Sequence, residues 1–155
     1  MLILLDIDGV LVPANSWKKP DFMEDGFPVF NPGSVKAFQR ILSETNADVM
    51  LTTSHKGKYD VSQWRNLLRL RGINPKSVQR LTSSSLQTCR KDEILDWYAT
   101  KHIPNEEFVI IDDDKMLNGL PADIKDNLVL TSPSIGLTDE LANEAISILR
   151  NAAHV

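Results

Sequence analysis

Cysteine is almost missing from this chain of 155 residues: Cys89 stands alone, so no intrachain disulfide can form and a reducing compartment is the simpler setting. Apolar runs of membrane-spanning length are also missing. The apolar stretch Met1 to Leu5 has no basic leader before it, so neither export nor anchoring is expected, and the expected location is the cytoplasm. Compositional bias is missing as well. Seven glycines, eight prolines, 42% hydrophobic and 25% charged residues exclude collagen-like, low-complexity and disordered classes and leave one globular domain over residues 1–155. A net charge of −4 argues against a generic nucleic-acid binder. Acid, however, is scarce in one place. Between Thr53 and Lys91 nine bases face the single acid Asp60, so of the 17 bases and 21 acids in the chain only eight bases but twenty acids lie elsewhere.

What is present is an alternation. The short apolar runs Leu2 to Leu5, Val49 to Leu51, Phe108 to Ile111 and Leu128 to Leu130 have the pattern of strands buried on both faces of a parallel sheet, and Val78 to Leu81 offers a fifth. Helical spacing fills the intervals. Ser34 reads as the N-cap of a helix bearing Val35, Phe38, Ile41 and Leu42, and Asp60 as the cap of one bearing Val61, Trp64, Leu67 and Leu68. A further helix runs from about Arg90 to Thr100, and Thr138 caps the last one. Strand and helix in turn predict an α/β fold, a single doubly wound, Rossmann-like parallel sheet of about five strands with helices on both faces. Pro13 to Pro32 is a long irregular segment, with four prolines and Trp17, Phe22, Phe27 and Phe30, and reads as a flap-like loop at about 12–32.

In such sheets ligands bind beyond the carboxyl ends of the strands, where the strand order reverses. Asp6 and Asp8 follow the first strand, Thr52 the second, and Asp112, Asp113 and Asp114 the strand at Phe108 to Ile111. Carboxylates gathered from separate strand ends repel one another, and a hard divalent cation resolves that conflict. Magnesium takes oxygen ligands, keeps several waters, and usually binds one or two protein carboxylates with a substrate phosphate. Gly9 permits a sharp bend after Asp8.

Taken in order, Asp6-Ile7-Asp8-Gly9-Val10, Val49-Met50-Leu51-Thr52, Lys91 at the start of a helix and Val109-Ile110-Ile111-Asp112-Asp113 resemble the four motifs of the haloacid dehalogenase (HAD) superfamily of phosphohydrolases. The resemblance covers residues 1 to 131. It implies a Mg2+-dependent phosphatase working through an aspartyl-phosphate on Asp6, with Asp8 as general acid and then base, Thr52 on a phosphoryl oxygen and Lys91 neutralising charge. Mg2+ would be held by Asp6, the backbone carbonyl of Asp8, and Asp113, with Asp112 as the partner of Lys91; the roles of Asp112 and Asp113 can be exchanged, and Arg90 competes with Lys91. Thr53, Ser54 and Lys56 would contact substrate. His55 is adjacent but has no partner in the sequence.

The intervals between motifs hold only a loop, helices and a short strand, too little for a full cap domain. The chain resembles small capless HAD domains of RNA-repair proteins, which share an Asp-Val/Ile-Asp-Gly-Val-Leu start, a Thr/Ser-rich second motif and an Arg-Lys-Asp-Glu-Ile-like helix start. An open site fits a large phosphorylated substrate, RNA or DNA ends included, and the basic block around Lys56, Lys58, Arg65, Arg69 and Arg90 would draw in a polyanion. Trp17 with Lys18 and Lys19 would clamp a base. A partner protein or self-association would be another way to close such a site. Two other readings are a catalytically silent or regulatory HAD-like domain that binds Mg2+ and phosphate, and a phosphoacceptor receiver domain, whose motif order differs.

Overall fold

Every one of the apolar runs becomes a strand of one sheet. The computed structural model describes residues 1–14, 21–82 and 89–151. Its strands are β1 (Leu2–Leu5), β2 (Asp48–Leu51), β3 (Val78–Arg80), β4 (Phe108–Asp112) and β5 (Leu128–Leu130). Its helices are α1 (Pro32–Thr45), α2 (Val61–Leu70), α3 (Arg90–Thr100), α4 (Ala122–Lys125) and α5 (Asp139–Asn151), with a 3-10 turn at Lys115–Gly119. All four strand pairings are parallel and the order is β3-β2-β1-β4-β5, a doubly wound Rossmann-like sheet whose order reverses between β1 and β4.

Strand alternation divides the core into two layers. Ile3, Leu5, Val49, Leu51, Val109 and Ile111 pack under α1, α2 and α5. Leu2, Leu4, Met50, Phe108 and Ile110 face α3, α4 and the 3-10 turn. Helix starts follow local chemistry. The Asp60 carboxylate accepts the Gln63 amide while the Gln63 side chain accepts the Asp60 amide, the reciprocal box that fixes the start of α2. Ser34, expected as a cap, lies instead inside α1: Asn31 caps that helix, and Pro32 at the first turn needs no donor there. The Ser34 hydroxyl is buried and donates to the Leu137 carbonyl at 2.9 Å, tying α1 to the segment before α5.

The segment from Asp21 to Asn31 folds down on the sheet rather than standing away from it. Arg71, 9% exposed, holds it with a fork on Asp25 at 2.6 and 2.9 Å and with bonds to the carbonyls of Phe27 and Pro28. Phe27 and Phe30 are buried in the larger core and flank the guanidinium, whereas Phe22 is exposed. Trp17, Lys18 and Lys19, the proposed base clamp, lie outside the described residues. Among the described residues no second domain covers the ends of the strands, and no helix is long and apolar enough to cross a membrane.

Candidate active site

Register alone assembles the centre of the site. Leu5 pairs with Leu51 on one side and with Ile111 on the other, so the next residues, Asp6, Thr52 and Asp112, stand abreast at the carboxyl ends of β1, β2 and β4. Alternation turns all of them toward the α3 layer, the side already taken by Leu4, Met50 and Ile110. α3 begins there with Arg90. Its Nη1 donates to Asp112 Oδ2 at 2.6 Å and lies 3.5 Å from Asp6 Oδ2. Asp112 is fully buried, with its other oxygen accepting the Asp114 amide at 3.0 Å.

The turn after β1 brings in the next carboxylate. The Ile7 carbonyl accepts the amides of Val10, Leu11 and Val12, which bends the chain back over its own strand end. Gly9 sits there at φ +78°, and a Cβ on it would lie 2.0 Å from Asp113 Oδ2. Only glycine lets Asp113 lie against this turn. As a result Asp6, Asp112 and Asp113 each place a carboxylate oxygen within 4.8 Å of the others.

Like charges this close, with one guanidinium against them, shift one another. Burial, reinforced by the charge of Asp112 and opposed by Arg90, pushes the Asp6 carboxyl up to about 9. Burial and Asp112 also raise Asp113. Arg90 is itself buried, which disfavours its charge, but Asp112 and Asp6 outweigh that and raise it. Without a further cation the cluster must keep a proton. Its donors are all hard oxygens and their charge is undercompensated, so the residues present fit a Mg2+ ion.

Around this centre lie the hydroxyls of the second motif. Thr52 is fully buried and its Oγ1 has no hydrogen-bond partner among the described residues. Thr53 is also buried, with its Oγ1 accepting the His55 amide, whereas Ser54 is exposed and lines the cleft. Asp8, half exposed, is bonded through Oδ2 to His55 Nε2 at 2.8 Å. The cleft is open, about 490 Å³, and is lined by Asp6, Asp8, Ser54, Arg90, Asp113 and Lys115.

Other residues expected at the site point elsewhere. Lys91 follows Arg90, and successive helical side chains diverge by about 100°, so only one of the pair can face Asp6. The Lys91 ammonium is placed beside Gly119, at the 3-10 turn, and Arg90 is the base at the carboxylates. Lys56, expected on substrate, pairs with Glu93 at 2.8 Å in a largely buried contact. The basic block does not form one patch. Arg71 serves Asp25, Arg80 donates to the Tyr59 carbonyl at 2.7 Å, and Arg65 and Arg69 line a separate depression with Ile73, Asn74 and Pro75. Asp114 caps the 3-10 turn by accepting the Met116 amide. Lys115 and the His55 bond to Asp8 had no signal in the sequence, because both depend on how loops from different strands converge.

A sequence model of the family described as HAD domain in Swiss Army Knife RNA repair proteins matches residues 2–142. No curated protein matches the chain.

Proposed function

This chain belongs to the HAD domains of Swiss Army Knife RNA repair proteins, and from that membership we propose that it is a Mg2+-dependent phosphomonoesterase acting on phosphorylated nucleic-acid ends. The observation that carries the reading is the gathering of Asp6, Asp112 and Asp113 around a point that Arg90 only partly neutralises, at the floor of an open cleft. Asp6 and Asp113, with the Asp8 carbonyl, would hold Mg2+, which supplies charge neutralisation for phosphoryl oxygens. Asp112 is less available, because both of its oxygens are bonded to the protein.

Each side chain then has a task. An Asp6 oxygen attacks phosphorus, the bond from phosphorus to the leaving oxygen breaks, and Asp8 gives that oxygen its proton. Water next attacks the aspartyl-phosphate and passes a proton to Asp8, releasing inorganic phosphate and restoring both carboxyl groups. Arg90, anchored by Asp112, faces the nucleophile and meets charge on the transferring group. The Thr52 hydroxyl, without a partner among the described residues, would donate to a phosphoryl oxygen. Ser54 and Lys115 border the opening, where the rest of a large substrate would lie.

The test is hydrolysis with Mg2+ present, comparing 3′- and 5′-phosphorylated oligonucleotides with nucleotides and sugar phosphates. Turnover of an oligonucleotide end, abolished in Asp6→Asn, is expected. Fast turnover of small metabolites with oligonucleotides untouched would remove the nucleic-acid part of the proposal. Uptake of Mg2+ and phosphate with no turnover of any ester would instead make the chain a binding domain.

A further inference from the structure

The Asp8 side chain is half exposed, and in an open cleft such a side chain is free to rotate unless something holds it. His55 does so. Its Nε2 lies 2.8 Å from Asp8 Oδ2, and its own backbone amide is tied to Thr53 Oγ1 at 3.3 Å. The imidazole is fixed in turn by Phe27, whose buried ring meets it edge to face at 5.6 Å and 86°. Phe27 is wedged against Trp64 and Tyr59, and its carbonyl accepts from Arg71, the anchor of the whole segment. A line of contacts therefore runs from the buried Arg71 guanidinium, through Phe27 and His55, to the carboxylate at the cleft.

We propose that His55, steadied by Phe27, is a positioning residue that orients Asp8 for proton transfer to the leaving oxygen. This rests on the phosphatase reading above. An isolated surface pair of Asp and His contributes little to stability, so the value of this contact lies in geometry rather than in holding the fold together. With Nε2–H donating to Oδ2, the other oxygen of Asp8, a residue that lines the cleft, is the one assigned to the substrate. It carries the proton that passes to the leaving oxygen as the phosphorus–oxygen bond breaks and Asp6 becomes phosphorylated, the bonding electron pair staying with the departing alcohol. A misplaced proton donor loses part of the about 10²- to 10⁴-fold that acid catalysis supplies.

The test uses leaving groups of different need. An alkyl phosphate, such as a 3′-phosphorylated oligonucleotide, requires a proton on departure, while 4-nitrophenyl phosphate releases a stable phenolate without one. His55→Ala is expected to lower kcat/KM for the alkyl ester about tenfold or more while leaving that for the aryl ester within about twofold, since kcat/KM reports only steps through the first bond cleavage. His55→Gln, whose amide can still donate to Asp8, is expected to recover most of the loss. Phe27→Leu should show a smaller loss with the same dependence on leaving group. Equal losses for the two esters, or no loss for the alkyl ester, would overturn the proposal. Asp6→Asn, run alongside, separates the two failures: if it abolishes turnover of both esters while His55→Ala changes neither, the phosphatase reading stands and this one falls.

Discussion

Thr52 shows at the scale of one residue how a site is held ready at the expense of the fold. A buried hydroxyl without a partner costs about 1–3 kcal/mol, and the Thr52 Oγ1 is in that position. Thr52→Val should therefore leave the free protein as stable or more so, by up to about 1 kcal/mol, in urea melts, while under the proposed mechanism kcat/KM should fall with the loss of the proposed phosphoryl donor. Gly9 makes the opposite case. A methyl group there would collide with Asp113 and would adopt a positive φ, so Gly9→Ala should destabilise by about 1–3 kcal/mol and weaken Mg2+ uptake in calorimetry. Both residues sit in motifs that were readable as Asp-x-Asp-Gly and as a hydroxyl following a strand. The choice between Arg90 and Lys91 was not readable, since it depends on the rotational phase of α3 against the sheet.

At the scale of elements, the segment from Asp21 to Asn31 and the helix α2 act together through one ion pair. The side chain of Arg71 is buried, with five contacts to Asp25, Phe27, Pro28 and Leu67. Asp25 is exposed, so removing Arg71 strands no charge, but the carbonyls of Phe27, Pro28 and Leu67 lose their donor, and Arg71→Ala should cost about 1–3 kcal/mol in chemical denaturation. The pair also carries a pH signature. Hydrogen bonding to Arg71 holds the Asp25 carboxyl below its ordinary value of 3.8, so its contribution is complete above that value and is lost as pH falls from there through the lowered folded value. Urea midpoints between pH 5 and 2 should therefore fall more steeply for the natural chain than for Asp25→Asn. The helices themselves were legible where caps and periodicity agreed, as at Asp60. At α1 the competing signal of Asn31 and Pro32 displaced Ser34, because an asparagine cap before a proline starts a helix at no loss of donors.

At the scale of the whole molecule, the sheet order decides what the carboxylates can do together. With β1 central and β4 beside it, two acidic strand ends become neighbours, and their repulsion is relieved when a dication binds. Ligation by the folded state alone stabilises by mass action, about 2.7 kcal/mol at one hundred times the dissociation constant. Thermal melts should rise by about 5–10 °C with saturating Mg2+, and this rise should be abolished in Asp113→Asn. A rise equal in the variant and the natural chain would place the ion elsewhere.

Composition, strand-like apolar runs and the carboxylates at their ends were fixed by local chemistry, and they carried the α/β class, the family and the identity of the acidic residues. Which side chains meet was decided only in three dimensions. The fork of Arg71 on Asp25, the pairing of His55 with Asp8, the dispersal of the basic block and the displacement of Lys91 by Arg90 all join residues distant in sequence or separated by helical phase. Such contacts arise from register, twist and packing angle, which no window of neighbouring residues specifies.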